Sequence, residues 1–253
     1  PRKPATTRNL VPASALSVTA NVLLMRYMTD TLGIGAAVAS SIFAAAKVWD
    51  AVNDPMIGAL SDRVRTPWGR RLPWILVGGL LSALIVAAAF AAPLTGSSLI
   101  VYMAVTMLAF ATTYSMLMIP YLAMPAEITD SYHGRTQLMS FRVLFSSVGS
   151  TLGLGLGPMM LAAWGATRAG HARMALVIAS IAALTLVVCV WLIRDAPRTE
   201  RPVAPPPPLL AQLRSTLENR PFVWLLTAKL VYFIVLAKDL YAAVVRVNAA
   251  VEE

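Results

Sequence analysis

The segment AAAKVWDAVNDPMIGALSD combines residue types and spacings that suit an ion site. Its polar members recur every three or four residues, so they would share one face of a helix. Two carboxylates one turn apart, with an amide beside them, suit a hard cation, because their oxygens can replace the hydration shell of sodium or carry a proton. A purely stabilising charge network without an ion is the alternative. The residues are Lys47, Asp50, Asn53 and Asp54.

The elements that would position this cluster are long apolar runs. Of 253 residues, 58% are hydrophobic and only 13% are charged, with a mean hydropathy of +0.68; soluble domains carry about 25% charged residues. A helix needs about 20 apolar residues to cross a bilayer. The runs are too long, and too rich in Ala, Leu and Val, for barrel strands. The sequence predicts an all-α membrane protein. Charges within its spans should face the bundle interior.

The apolar runs predict six spans and part of a seventh. The six lie at about 10–29, 35–60, 75–92, 99–122, 138–164 and 174–193. We interpret the first as retained rather than as a cleaved signal peptide. The two histidines, His133 and His171, fall in the predicted loops. The resulting organisation is a six-helix bundle (1–193), a proline-rich cytoplasmic linker with a short amphipathic helix (194–221), and a partial seventh span with its tail (222–253).

The charge distribution predicts orientation and excludes several functions. Lys and Arg concentrate in the segments that an inside N-terminus places in the cytoplasm, so we expect a multi-pass protein of the cytoplasmic (inner) membrane. The same reasoning explains the net charge of +9 without a nucleic-acid partner. A single cysteine, Cys189, cannot form a disulfide framework. We find no nucleophile–base pair and no phosphate loop, and therefore expect neither an enzyme nor a cofactor.

The loop GALSDRVRTPWGRR follows the ion-site segment directly. Gly58 would allow a second helix to pack closely. Asp62 could pair with Arg63 or with an arginine of a neighbouring loop. The alternative is topology alone, in which the basic residues only hold this loop inside.

The extended motif WDAVNDPMIGALSDRVRTPWGRRLPW resembles the signature of the glycoside–pentoside–hexuronide:cation symporter family of the major facilitator superfamily. The resemblance continues in RYMTDTLGI, MIPYLAMPAEITD, GRTQLMSFRVLFSSVG and NRPFVWLLTAKL, and reaches about Ala237. It implies a six-transmembrane-helix bundle of major facilitator type plus part of a seventh helix. It also implies cation binding by Asp50, Asn53 and Asp54, and a substrate role for Asp30 and Arg142.

The sequence departs from the family pattern at the sugar site. Ser14 and Met118 stand where the melibiose permease pattern has acidic residues, and Leu122 stands where it has an aromatic residue. These changes argue against a galactoside, whereas the cation site is retained. The length also matches only one six-span half and a piece of the next, so we expect either a fragment of a twelve-helix protein or a natural half with another role.

The leading hypothesis is therefore secondary active transport: Na⁺- or H⁺-coupled symport of a sugar or glycoside by alternating access. Lys47 would balance the charge of the empty cation site, where Asp50 and Asp54 would be the ligands of any Na⁺. The alternative is a truncated, non-transporting subunit that acts as a scaffold or assembly factor among other membrane subunits. In the transporter, a cytoplasmic latch between conformations would comprise Gly58, Asp62, Arg63, Arg70 and Arg71.

Overall fold

The computed structural model describes residue 17 and residues 19–64, 66–125, 131–194, 218–221, 223–224 and 227–228. The chain divides into two compact units, Pro1–Arg201 and Pro202–Glu253, and the helices below belong to the first. All regular secondary structure in the described residues is helical. The predicted all-α fold is therefore confirmed.

The described residues of the first unit form six successive helical segments. The first, α1, spans residues 19–31 and has π-helical hydrogen bonding at Thr19–Leu23 and Tyr27–Thr31, joined by the α-helical turn Leu24–Arg26. The others are α2 (Ala36–Arg63), α3 (Leu72–Phe90), α4 (Ser97–Ala123), α5 (Tyr132–Trp164) and α6 (Arg168–Ile193).

The four helices α3 to α6 are long and apolar enough to cross a membrane. Helix α2 has 28 residues, more than α3, but it carries the charged residues of the predicted ion site. The described part of α1 is short. The prediction of six spans thus has direct support for four helices, and for α1 and α2 it stays a prediction.

Helix α3 packs against both α4 and α6. Two adjacent glycines allow this close approach. A methyl group at Gly78 would lie 2.7 Å from the backbone nitrogen of Leu117 on α4, and one at Gly79 would collide with Leu186 on α6. Small residues permit such contacts between membrane helices. Helix α2 packs against α4, and α5 packs against α6 and the start of α1.

Helices α5 and α6 begin well before their predicted spans, and the placement of both histidines in loops is wrong. The hydroxyl of Ser131 accepts a hydrogen bond from the backbone of Gly134, and the hydroxyl of Thr167 accepts one from Gly170. These N-caps start α5 and α6 six residues before the apolar runs begin. His133 and His171 consequently lie in the first turn of α5 and of α6.

Several predictions fall outside the described residues. They include the start of the first span at 10–16, most of the 194–221 linker, and most of the 222–253 segment. Ser14 belongs to this group as well.

Candidate functional site

Asn53 lies on the face of α2 that packs against the bundle. Only 7% of its surface is exposed, and it lies in the same buried stripe as Ala46 and Ile57. Asp50 and Asp54 are half-buried beside this stripe. The helical spacing has therefore brought the two carboxylates to the edges of a helix interface, with the amide inside it.

Lys47 contacts the first of these carboxylates. Its Nζ lies 3.0 Å from Asp50 Oδ2, and the side chains of Lys47 and Asp50 are 70% and 23% exposed. Because Lys47 is one turn from Asp50 and is itself largely exposed, it can release the carboxylate without leaving a buried charge behind.

The second carboxylate is linked to α4 by a residue that the sequence analysis missed. The hydroxyl of Ser115 donates a hydrogen bond to Asp54 Oδ1, and the two oxygens are 2.5 Å apart. One turn earlier on both helices, the indole nitrogen of Trp49 donates to the hydroxyl of Thr112 at 2.9 Å. Ser115 sits in an apolar run, and its pairing is between helices, so only its polarity within a span gave any signal.

Asn53 has an unsatisfied polar atom at this interface. Its Nδ2 is buried and has no hydrogen-bond partner among the described residues. Such a group costs about 1–3 kcal/mol. Rotation of the amide would present its oxygen at the same place, and the terminal amide torsion is broad.

Because of Pro55, a backbone carbonyl in the same part of α2 lacks its helical hydrogen bond and offers a further oxygen. A proline inside a helix removes the hydrogen bond to the carbonyl four residues earlier, which here is that of Ala51. Together with Asp50, Asp54 and Ser115, the cluster offers oxygen ligands of the kind that replace the hydration shell of a hard cation.

At the other end of α2, Arg71 joins three helices. Its Nη2 lies 3.2 Å from Asp62 Oδ1, and its Nη1 donates to the carbonyl of Pro120 at 3.4 Å. The Arg71 side chain is only 12% exposed. The sequence suggested Arg63 or an arginine of a neighbouring loop as the partner of Asp62, whereas the structure pairs it with Arg71, at the far end of the same loop.

The remaining latch residues are less central. Arg63 is the exposed last residue of α2, and Arg70 is half-buried in the loop. A methyl group at Gly58 would lie 3.6 Å from Ile119 on α4, an ordinary contact. The two helices do meet at Gly58, but their separation there does not require a glycine.

Asp30 and Arg142, the predicted substrate residues, have no contact with each other among the described residues. Asp30 pairs with Arg26 at 3.1 Å. Hydrogen bonds from Thr29 and then from Arg26 hold the pKa of the Asp30 carboxyl below its usual value. Arg142 is half-buried on α5, where its Nη1 lies 3.7 Å from the sulfur of Met139.

Close to Asp30, an aromatic cluster joins α1 to two further helices. The Tyr27 hydroxyl donates to the carbonyl of Phe90 at 3.0 Å. The ring of His171 lies 4.6 Å from that of Tyr27 and 6.2 Å from that of Phe90. This cluster ties α1 to the end of α3 and the start of α6, and the sequence analysis did not predict it.

A sequence model of the family described as "MFS/sugar transport protein" matches residues 9–238. The chain is 43% identical over 148 residues to an uncharacterized symporter of Synechocystis sp., covering 54% of this chain and 27% of the relative. It is 34% identical over 135 residues to the inner membrane symporter YicJ of Escherichia coli, covering 52% of this chain and 29% of the relative. It is 33% identical over 129 residues to the putative glycoside/cation symporter YagG of the same species, covering 51% of this chain and 28% of the relative. The matched region thus spans less than a third of the length of these relatives.

Proposed function

Since this chain belongs to the MFS/sugar transport protein family, we propose that it forms one half of a secondary transporter in which a cation gradient drives symport of a sugar or glycoside. Transporters of this superfamily are built from two six-helix halves with the binding sites between them. A second bundle, on the same chain or on another, would complete the solute path. The bilayer and a small hydroxylated solute are the partners that this function requires. The relatives described above, two symporters and a putative glycoside/cation symporter, support the proposal.

The observation that carries the proposal is the oxygen cluster between α2 and α4. Two half-buried carboxylates flank a buried amide that has an unsatisfied atom. Ionisable groups within a span are expensive and usually serve an ion or solute path. A cation held by Asp50 and Asp54, with Asn53 and Ser115 completing its shell, would compensate the desolvation of both carboxylates.

Lys47 gives this site a way to couple binding to conformation. In the structure it pairs with Asp50 at 3.0 Å. A bound cation would compete for the same carboxylate and release Lys47. Lys47 would then lose its ion pair with Asp50. Binding of a cation would therefore leave the positive charge of Lys47 unpaired on the surface of α2.

The cytoplasmic contact is the proposed latch. Arg71 bridges Asp62 and the Pro120 carbonyl, and it therefore holds the ends of α2 and α4 together. Arg63, the exposed last residue of α2, would pair with the second bundle, and Arg70 lies in the loop that follows. For the solute, the guanidinium of the half-buried Arg142 supplies donors that suit sugar hydroxyls.

Cation binding can be tested on this chain without transport. A ligand that binds only the folded state stabilises it by about 2.7 kcal/mol at a hundredfold excess over Kd. We expect Na⁺ to raise the unfolding midpoint above that in K⁺ at equal ionic strength. Asp54→Asn and Ser115→Ala should abolish the difference. Asp62→Asn, two turns further along α2, makes the same charge change and should leave the difference intact.

The alternatives give distinct results. Equal midpoints in Na⁺ and K⁺, together with a pH-dependent midpoint that Asp54→Asn removes, would identify the proton as the coupling ion. A Na⁺ effect that survives both Asp50→Cys and Asp54→Asn would refute the site. No effect of cation, pH or substitution would favour the non-transporting scaffold.

A further inference from the structure

A cavity of about 290 Å³ lies between α1, α5 and α6, away from the cation cluster. Its polar lining is confined to Arg26, Asp30, Thr31 and His171. In the predicted orientation this is the outer end of the bundle, where α1 ends and α6 begins. The roles proposed above for the cation cluster and for Arg142 do not account for this cavity.

His171 presents an unused acceptor to the cavity. Its Nδ1 lies 2.9 Å from the carbonyl oxygen of Thr167. Because a carbonyl can only accept, Nδ1 carries the proton, and in the neutral imidazole the lone pair belongs to Nε2. His171 as a whole is only 5% exposed, and no described residue forms a hydrogen bond with Nε2. This nitrogen is therefore an acceptor open to the cavity, available to a ligand that donates a hydrogen bond.

The orientation of that acceptor is fixed. The imidazole ring stacks at 5° on Phe90 and lies against Tyr27. Tyr27 is in turn held by its hydrogen bond to the Phe90 carbonyl. These contacts hold the plane of the imidazole in place at the cavity wall.

The charges at the rim compensate one another. Arg26 Nε lies 3.1 Å from Asp30 Oδ2, and the other carboxylate oxygen accepts from Thr29 at 2.8 Å. The terminal nitrogens of Arg26 remain as donors. Arg168, which lies three residues before His171 on α6, donates a hydrogen bond to the Leu94 carbonyl at 3.2 Å. An anion or a cation would find no uncompensated charge here, so the lining favours a neutral solute with hydroxyl groups.

The opposite wall is apolar. Leu23 of α1 and Pro158, Leu161 and Ala162 of α5 form it. A sugar ring has hydroxyl groups at its edge and C–H groups on its faces, and both kinds of surface are matched here. The volume lies near the lower end of the usual range of about 300–1,000 Å³ for ligand pockets. That size suits a monosaccharide rather than a longer glycoside.

We propose that this cavity is an outer binding site for an uncharged, hydroxyl-bearing solute of monosaccharide size, which donates a hydrogen bond to His171 Nε2 and accepts from Arg26. The inference rests on the proposed function, since it gives the transported class of solute a second site. That second site is separate from Arg142.

The two histidines of this chain make the test specific, because His133 lies exposed at the start of α5. We would label histidine with ¹⁵N, place the chain in lipid nanodiscs, and add D-glucose, D-galactose or D-xylose in turn. At least one sugar should shift the His171 Nε2 resonance in a saturable way while His133 stays unchanged. No shift with any of them, equal shifts at both histidines, or a shift with D-glucuronate or phosphate alone would overturn the proposal.

A matched pair of substitutions tests the location. Ala162 lines the cavity and its neighbour Ala163 does not. Ala162→Phe should fill the cavity and abolish the sugar-dependent shift, whereas Ala163→Phe should retain it. The shift should also survive Asp54→Asn. Loss of the Na⁺ effect with an intact His171 shift would refute the cation site alone, and the reverse result would refute only this outer site.

Discussion

The two ends of the bundle are held by different chemistry. At the predicted inner end, the guanidinium of Arg71 bridges a carboxylate on α2 and a backbone carbonyl on α4. At the predicted outer end, Tyr27, Phe90 and His171 form a buried ring cluster with a neutral hydrogen bond at its centre. One end relies on charge and the other on packed aromatic surface.

This difference matches what each end would do in a transporter. Charged groups that separate can be solvated by water, so an ionic contact opens and closes at moderate cost. Separated aromatic rings would expose apolar surface, which is unfavourable in water. We therefore expect the inner contact to break during the transport cycle and the outer cluster to persist within this half. The following variants test that contrast.

Arg71→Ala should have the largest effect. It removes both contacts of a side chain that is 12% exposed, and hydrogen bonds involving charged groups contribute about 1.5–3 kcal/mol. Asp62 is partly solvated, so we expect a net loss of about 2–3 kcal/mol in the free energy of unfolding, measured in mixed micelles.

Arg71→Lys is the matched control for this change. It keeps the charge but lacks the planar fork that reaches both partners, so it should restore part of the loss. Full restoration would mean that charge alone holds the inner end. A loss smaller than that of the outer variants would reverse the comparison.

Tyr27→Phe should have an intermediate effect. It keeps the ring cluster but leaves the Phe90 carbonyl, at the end of α3, without its donor. We expect a loss of about 1–2 kcal/mol that does not change with added salt. Tyr102→Phe removes a comparable bond to the Ala88 carbonyl from a half-buried position and should cost less. A salt-dependent loss in Tyr27→Phe would contradict an uncharged outer cluster.

Sequence periodicity was informative where contacts lie within one helix. The spacing of Asp50, Asn53 and Asp54 predicted their common region of α2, and the position of Lys47 predicted a partner one turn away. The apolar runs also predicted the long helices and the all-α class. These features depend on the rise and turn of a single helix, which the sequence encodes directly.

Contacts between helices could not be predicted in the same way. Ser115 and Asp54 are 61 residues apart, and Tyr27 and Phe90 are 63 apart, so no local spacing relates them. His171 was placed in a loop because its neighbours are polar, although Thr167 caps the helix that contains it. Arg71 is the partner of Asp62 because the turn between α2 and α3 brings the two side chains together, and local spacing does not predict that turn.

Asp30→Asn should have the smallest effect, and its pH dependence is the most specific check of the comparison. The Asp30–Arg26 pair is at the outer end but is exposed, with side chains 59% and 77% accessible. Because hydrogen bonds lower the pKa of Asp30, any stability it adds is present above the unfolded pKa and is lost as pH falls through the folded pKa. The difference from wild type should therefore be small and constant near neutrality, vanish in strong acid, and shrink in high salt. If Asp30→Asn destabilised the protein as much as Tyr27→Phe, the outer end would also depend on charge, and the two ends would no longer differ in kind.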